Sequence, residues 1–276
     1  MRDLASGPCE SGIGKSMKKV YTENRGYTKS GYIFGVVLNA LAGMCILFVL
    51  LTTALQIVCY SDMDMYRKEY EKYGVLNYMP AGTTMSEEDG LMAVTKHMMR
   101  YLIGDKDTPD LQIRIKTDAG MRDFFNEREL IHMKDVRDLF LKGMQFRYIA
   151  LMFALFVFVY CRFGIFREKK AFLKATGKGL LIGTAAFFGI MLILSVIFMV
   201  DFNSAFITFH KIFFDNDYWL LDPRTSLLIN ILPEGFFFDI VKKVLIIFLP
   251  SAAVVVVIAF LINRKYKNAE LTFRKD

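Results

Sequence analysis

Three polar side chains that can move a proton or hold a metal recur at steps of three residues near the middle of the chain. They are Glu129, His132 and Asp135, and this spacing places them on roughly one face of a helix. Because an imidazole titrates near neutral pH and a carboxylate can hold its orientation, His132 is a candidate general acid or base. Two alternatives stay open: an ordinary solvated helix face, and a metal site. The metal site is disfavoured because a di-iron bundle needs two ExxH motifs.

A second histidine, His210, lies within an aromatic stripe. The stripe has helical spacing and consists of Phe202, Phe206, Phe209 and Phe213. Such residues commonly form an interfacial belt in membrane proteins, so the stripe alone is weak evidence of function. Two histidines flanked by carboxylates are a stronger indication of a site. The remaining histidine, His97, is interpreted as structural.

The composition indicates which class of protein must position these groups. The 276 residues are 54% hydrophobic and have a mean hydropathy of +0.33. This composition excludes a disordered chain and disfavours a water-soluble domain, because too much apolar surface would meet water.

Four long apolar segments predict four transmembrane helices. Residues 31–60, 179–200 and 244–262 contain no charged side chain, and residues 143–166 contain only Arg147 and Arg162. At 1.5 Å per residue, each can cross a hydrocarbon core of about 30 Å. The predicted organisation is a tail (1–30), four spans (31–60, 145–166, 179–200 and 240–262), two outer segments (61–147 and 201–243), an inner loop (167–178) and a second tail (263–276).

The distribution of basic residues predicts the orientation. The two tails and residues 162–178, which include the inner loop, together hold 17 basic and 6 acidic residues, whereas the outer segments hold 18 basic and 22 acidic residues. The positive-inside rule therefore places both termini in the cytoplasm and the outer segments outside a cell membrane. The net charge of +7 then reports membrane orientation rather than nucleic acid binding.

The outer segments carry signals for a small cap. Residues 65–73 predict an upward, amphipathic continuation of the first span, and a capping pair, Ser86 and Asp89, precedes a helix that ends at Gly104. Alternating apolar residues at 111–116 predict a half-buried strand.

Two further helix starts are predicted. Asn126 is a cap for the helix of His132, and Asp222 with Pro223 marks a helix start in the second outer segment. The predicted fold is mainly α: four transmembrane helices with a small extracytoplasmic α+β cap.

Several runs resemble the lipoprotein intramolecular transacylase family of bacterial membrane proteins. They are Phe-Asn-Glu-Arg-Glu-Leu-Ile-His-Met-Lys-Asp-Val at 125–136, Phe-His at 209–210, Asn-Asp-Tyr-Trp-Leu-Leu-Asp-Pro at 216–223 and Tyr-Leu-Ile-Gly at 101–104. The order of spans and cap segments also matches, from about residue 31 to residue 262. Asn126 stands where the family is expected to carry threonine, and either residue can cap a helix.

The resemblance implies a fold and a reaction. The fold is four helices under an extracytoplasmic cap, with two essential histidines that map onto His132 and His210. The reaction moves the sn-2 acyl chain of a diacylglyceryl lipoprotein to the α-amino group of its own N-terminal cysteine. It uses no metal or other cofactor, and the implied partners are the diacylated lipoprotein and membrane lipids.

Roles for the remaining residues follow from that reaction. One imidazole removes a proton from the amine and the other protonates the departing glyceryl oxygen, with His210 weakly favoured as the base. Glu129 and Asp135 are expected to orient His132, Arg147 or Tyr148 to steady the oxyanion, and Asp217 to support the site. The expected pocket residues are Phe124, Phe125, Phe206, Phe209, Tyr218 and Trp219. The alternatives are a non-catalytic cap-bearing membrane protein that binds lipid or a partner, and a metal-dependent membrane hydrolase.

Overall fold

The structure is a computed structural model that describes residues 27–271 and Phe273. Most of the predicted basic tail (1–30) and the last residues of the second tail therefore lie outside the described residues. The elements, in chain order, are α1 (Lys29–Tyr60), α2 (Met63–Lys72), a 3-10 turn (Val75–Tyr78), α3 (Leu91–Leu102), β1 (Arg114–Thr117), β2 (Gly120–Asp123), α4 (Glu127–Tyr160), a π-helical turn (Cys161–Ile165), α5 (Lys169–Val200), α6 (Phe202–Phe213), α7 (Leu227–Asn230) and α8 (Glu234–Tyr266).

Four of these helices are long and apolar enough to span a membrane: α1, α4 with its π-helical turn, α5 and α8. The apolar side chains of these stretches are stable in the hydrocarbon core of a bilayer, whereas a water-soluble core of this size could not bury them all. The helical backbone pairs its own N–H and C=O groups in that environment. The mainly α fold with a small two-stranded sheet is as the sequence predicts. The chain divides into two compact units.

Among the described residues, the first unit comprises 27–46, 152–187 and 254–271 with Phe273. Glycines set its close helix contacts: a Cβ added to Gly183 would lie 2.1 Å from the carbonyl oxygen of Ala40, and one added to Gly179 would lie 2.6 Å from that of Val36. Only glycine fits such an approach of two helix backbones, which is how small residues pack membrane helices.

The second unit comprises Leu47–Leu151 and Phe188–Ala253 and contains the cap. Its buried core includes Tyr66 and Tyr70 of α2, Leu91 and Met98 of α3, and Ile115 of β1. An ion pair joins α2 to α8, because Lys243 donates to the buried carboxylate of Glu69 at 2.7 Å. Lys72 and Tyr73 both donate to Asp239 nearby.

The cap elements begin at different residues from those the sequence indicated in two places. The first span does not continue upward unbroken, because the chain breaks after Tyr60 and Asp62 caps a new helix by accepting from the backbone N–H of Met65. Similarly, Asp222 and Pro223 form a turn, and α7 starts only at Leu227 with Ser226 as its cap. In both cases a polar side chain that accepts a backbone N–H fixes the start.

Candidate active site

A reciprocal cap fixes the first turn of α4 and with it the position of His132. The side-chain oxygen of Asn126 accepts from the N–H of Glu129 at 2.9 Å, and the Glu129 carboxylate accepts from the N–H of Asn126 at 2.6 Å. This is a capping box with asparagine in place of serine or threonine. His132 follows one turn later, in the charged part of α4 that precedes the apolar residues 145–166.

The two histidines predicted to act together lie next to each other. His210 is on α6, whose start is capped by Asp201, and its ring centroid lies 5.8 Å from that of His132. Both residues are only 7% exposed. The cap and the turn leading out of α5 thus bring residues 78 positions apart in sequence to one point.

Aromatic rings enclose the two imidazoles. Around His210, ring centroids lie at 4.0 Å for Phe206, 5.0 Å for Trp219 and 5.5 Å for Phe209. Phe214 touches both histidines, at 5.3 Å from His132 and 5.5 Å from His210. These rings exclude water from the space around the imidazoles, which an acyl-transfer reaction needs in order to avoid hydrolysis.

Hydrogen bonding distinguishes the two rings. Nδ1 of His210 lies 2.8 Å from the carbonyl oxygen of Phe206. Because a carbonyl only accepts, Nδ1 carries the proton, and Nε2 of the neutral ring keeps its lone pair. Nδ1 of His132 is buried and finds no hydrogen-bond partner within residues 27–271.

Both imidazoles are held in the neutral form. Burial lowers the pKa of His132 to about 4; the neighbouring His210 lowers it too, and the negative charge of Asp135 acts in the opposite direction. Burial also lowers the pKa of His210, partly offset by its hydrogen bond to the carbonyl of Phe206. Neutral rings are what a proton acceptor and an uncharged hydrogen-bond donor require at physiological pH.

The negative charge of Asp135 acts on the imidazole of His132, and a hydrogen bond from another residue fixes the position of the Asp135 carboxylate. Its carboxylate accepts from the side-chain amide of Asn216 at 2.8 Å. The side-chain oxygen of Asn216 accepts from the N–H of Tyr218 at 3.1 Å, so this asparagine joins α4 to the loop that carries Trp219.

Glu129 does not contact His132 in the way the spacing suggested. One carboxylate oxygen completes the cap, and the other accepts from the hydroxyl of Ser226 at 2.5 Å and from the N–H of Leu228 at 2.9 Å. Within the described part of the chain, its hydrogen bonds are therefore directed to the start of α7 and not to the imidazole. Glu129 supports the site by holding α7 against α4.

The other expected residues lie apart from the imidazoles. Arg147 follows His132 by 15 residues, about 22 Å along an unbroken helix, and donates to Gln56 while stacking on Tyr148. An oxyanion role for Arg147 or Tyr148 does not fit that distance.

The remaining aromatic and acidic candidates occupy the surroundings of the site. Phe124 and Phe125 are buried against each other, with ring centroids 4.8 Å apart. Tyr218 stacks under Arg128, which also donates to the backbone carbonyl of Asp217. Among the ring contacts of residues 27–271, none joins these side chains to either imidazole.

Three contributing residues were not singled out from the sequence as site residues. Phe214 is four positions after His210 and continues its helix face, so the period of the aromatic stripe was an available signal. Asn216 and Ser226 act through contacts with residues 81 and 97 positions away, which a linear pattern does not show.

The structure gives no support to a metal site. No group of three or more His, Cys, Asp or Glu side chains placed to hold an ion occurs in the part of the chain that the structure describes. The carboxylates of Glu129 and Asp135 are also engaged by Ser226 and Asn216.

A family model identifies the protein class. The model for lipoprotein intramolecular transacylase Lit matches residues 40–237, a range that contains both histidines and most of the chain. The chain belongs to this family. It is therefore a multi-pass membrane protein and an acyltransferase that carries out an intramolecular transacylation.

Solved structures agree with the fold expected for a lipoprotein intramolecular transacylase. The membrane-integral enzyme of this name from Bacillus cereus covers 85% of this chain and 98% of its own, with a TM-score of 0.57 and 20% identity. A histidine-to-alanine variant of that protein gives a TM-score of 0.60 at 21% identity, over 85% of this chain and 96% of its own. No curated protein matches the chain in sequence.

Proposed function

We propose that this transacylase moves the sn-2 acyl chain of a diacylglyceryl lipoprotein onto the α-amino group of the same molecule's N-terminal cysteine. The observation that supports this reaction is the pair of buried, neutral imidazoles 5.8 Å apart inside an aromatic enclosure. The site provides a base, a neutral donor and a dry space, which are the requirements of acyl transfer between two groups of one substrate.

His210 is the base in this proposal. Its Nδ1–H is held by the carbonyl of Phe206, so the lone pair on Nε2 is available to take the proton of the attacking amine. As the nitrogen–carbon bond forms and the ester carbon–oxygen bond breaks, the protonated His210 returns this proton to the glyceryl oxygen. One residue then serves as base and acid in turn, as the histidine of a serine hydrolase does.

His132 acts as a neutral donor rather than as the acid. With a pKa lowered to about 4, its ring is not in the imidazolium form at neutral pH and therefore does not act as the acid, although it keeps one N–H. Its Nδ1 is buried without a hydrogen-bond partner among the described residues, and an unpaired lone pair there is less costly than an unpaired N–H. The proton therefore resides on Nε2, from which it stabilises the oxyanion of the tetrahedral intermediate.

We also propose that the site faces the outside of the cell membrane, with both termini in the cytoplasm. The excess of basic residues in the tails and in the loop at 167–178 supports this orientation. The lipoprotein head group then reaches the imidazoles from the outer leaflet.

The test is conversion of a synthetic diacylglyceryl lipopeptide, followed by mass spectrometry of its N-terminal fragment. His210→Ala and His132→Ala should each lower the rate by roughly 100-fold or more, because each removes a group that acts on the reacting atoms. His97→Ala is the matched control, since His97 lies on α3 and its imidazole hydrogen-bonds the carbonyl of Asp110. Full activity of both site variants would reject the mechanism and assign the proton transfer and the oxyanion stabilisation to other groups.

A further inference from the structure

The outward face of α8 carries a groove that the reaction described so far does not use. Two ridges of side chains border it, one formed by Phe238, Ile246 and Pro250 and the other by Val241, Leu245 and Leu249. Residues four apart on a helix form such ridges, with a groove between them. The groove has a volume of about 500 Å³, within the range of ligand pockets.

The groove is lined by apolar side chains except for Lys242, which lies one turn after Phe238 on the same ridge, near the Phe238 end of the groove. At the far end Pro250 lacks an N–H, so the carbonyl of Ile246 loses its helical partner and the helix surface is disturbed there. A flexible hydrocarbon chain fits such a surface, whereas an extended polypeptide would leave backbone polar groups unpaired.

A continuous line of rings connects the groove with the base. Phe238 lies 5.5 Å from Phe202 between ring centroids, Phe202 lies 5.9 Å from Phe206, and Phe206 lies 4.0 Å from His210. Phe202 and Phe206 are half-buried, so each presents part of its ring to the outside. An apolar path therefore leads from the groove to the imidazole that takes the proton.

We propose that the groove on α8 binds the acyl chain that is transferred. The inference rests on the proposed function: the attacking amine must lie at Nε2 of His210 with the acyl carbon next to it, and the chain attached to that carbon has to leave along an apolar surface. The rings of Phe206 and Phe202 provide this surface, and the groove receives the distal methylenes. Chain binding there would fix the ester opposite the amine and would set the acyl-chain length that the enzyme prefers.

Filling the groove with a bulky side chain tests this assignment. Ile246 is 66% exposed and lies in the groove, and Ile193 is 63% exposed on α5, so tryptophan at either position adds the same bulk to an outward face. Each variant is assayed in detergent with two synthetic diacylglyceryl lipopeptides that carry short or long acyl chains. We expect Ile246→Trp to lower kcat/KM for the long-chain substrate by roughly tenfold and to spare the short-chain one. Ile193→Trp should change neither.

The outcomes separate this inference from the function on which it rests. Equal behaviour of Ile246→Trp and Ile193→Trp would overturn the groove assignment, provided the wild-type enzyme converts both substrates. Conversion of neither substrate by the wild type would count against the proposed function itself. If an anionic phospholipid occupies the groove instead, activity should rise with the anionic lipid content and should be lost in Lys242→Gln, while the preference for acyl-chain length stays unchanged. This outcome too would overturn the assignment.

Discussion

The hydroxyl of Ser226 donates to the carboxylate of Glu129 at 2.5 Å, so one buried acid joins the start of α7 to the start of α4. The same carboxylate accepts the N–H of Leu228 and completes the cap of the helix that carries His132. A residue whose spacing suggested a partner for the imidazole thus holds together the two elements beside it.

Replacing Glu129 should therefore destabilise the cap before it affects the chemistry. Glu129→Ala leaves Ser226 and two backbone N–H groups without an acceptor, and we expect a loss of about 1–3 kcal/mol in the free energy of unfolding. Thermal unfolding in detergent measures the loss, and exposed Glu127→Ala is the control in the same turn. Unchanged stability with abolished activity would instead assign Glu129 a direct role in the reaction.

The stability of the folded protein should fall as the pH drops from 6.5 towards 4. Folding lowers the pKa of both His132 and His210 below the ordinary value of 6.5. As the pH drops below 6.5, the unfolded chain therefore binds protons that the folded chain does not bind. The contribution of the two neutral imidazoles to the free energy of unfolding is fully present above pH 6.5 and is lost on acidification. In a His132→Gln/His210→Gln double variant the pH dependence of the unfolding temperature should flatten. Identical slopes for the two proteins would show that other groups cause it.

Asn216 should act as a positioning residue for Asp135 and the loop of Trp219. Asn216→Ala removes the bond to Asp135, and we expect kcat to fall by about tenfold while the pKa of His132 moves, because Asp135 is no longer fixed. A pH–rate profile and histidine NMR measure the two effects. The exposed neighbour Asp215 supplies the control, Asp215→Ala. Loss of stability alone, with an unshifted histidine signal, would indicate a purely structural role.

The ion pair between Glu69 and Lys243 should be needed for the packing of α2 on α8. Lys243→Met leaves a buried carboxylate, one oxygen of which has no hydrogen bond within the described chain and only the ammonium of Lys72 at 3.9 Å, and should cost about 1–3 kcal/mol. Adding Glu69→Gln should recover part of this loss, which a double-mutant cycle of unfolding temperatures measures. Lys68→Met, beside Glu69 but exposed, is the control. An equal effect of both lysine variants would contradict the prediction.

Local signals in the sequence were enough for the spans and for the cap on α4, whereas the pairing of the two histidines came from the family resemblance and their catalytic roles stay a prediction. Charge-free runs of helix length predict spans, and the spacing of Asn126 and Glu129 predicts a cap, because both depend on neighbours within a few residues. The role of Glu129 in holding α7 could not be predicted from local signals, since its partner Ser226 is 97 residues away in the sequence.

The oxyanion roles suggested for Arg147 and Tyr148 failed for a related reason. Their residue types fit the chemistry, but an unbroken α4 carries them about 22 Å from His132. Only the knowledge that the helix continues through this segment excludes them.

The close backbone contacts at Gly179 and Gly183 also limit how this protein can evolve. Every missense change at a glycine codon introduces a residue that has a β-carbon. Such a carbon would meet the carbonyl oxygens of Val36 and Ala40 at 2.6 Å and 2.1 Å. Natural variants and random libraries should therefore retain these two glycines, even where the lipid-facing neighbours drift freely among apolar residues.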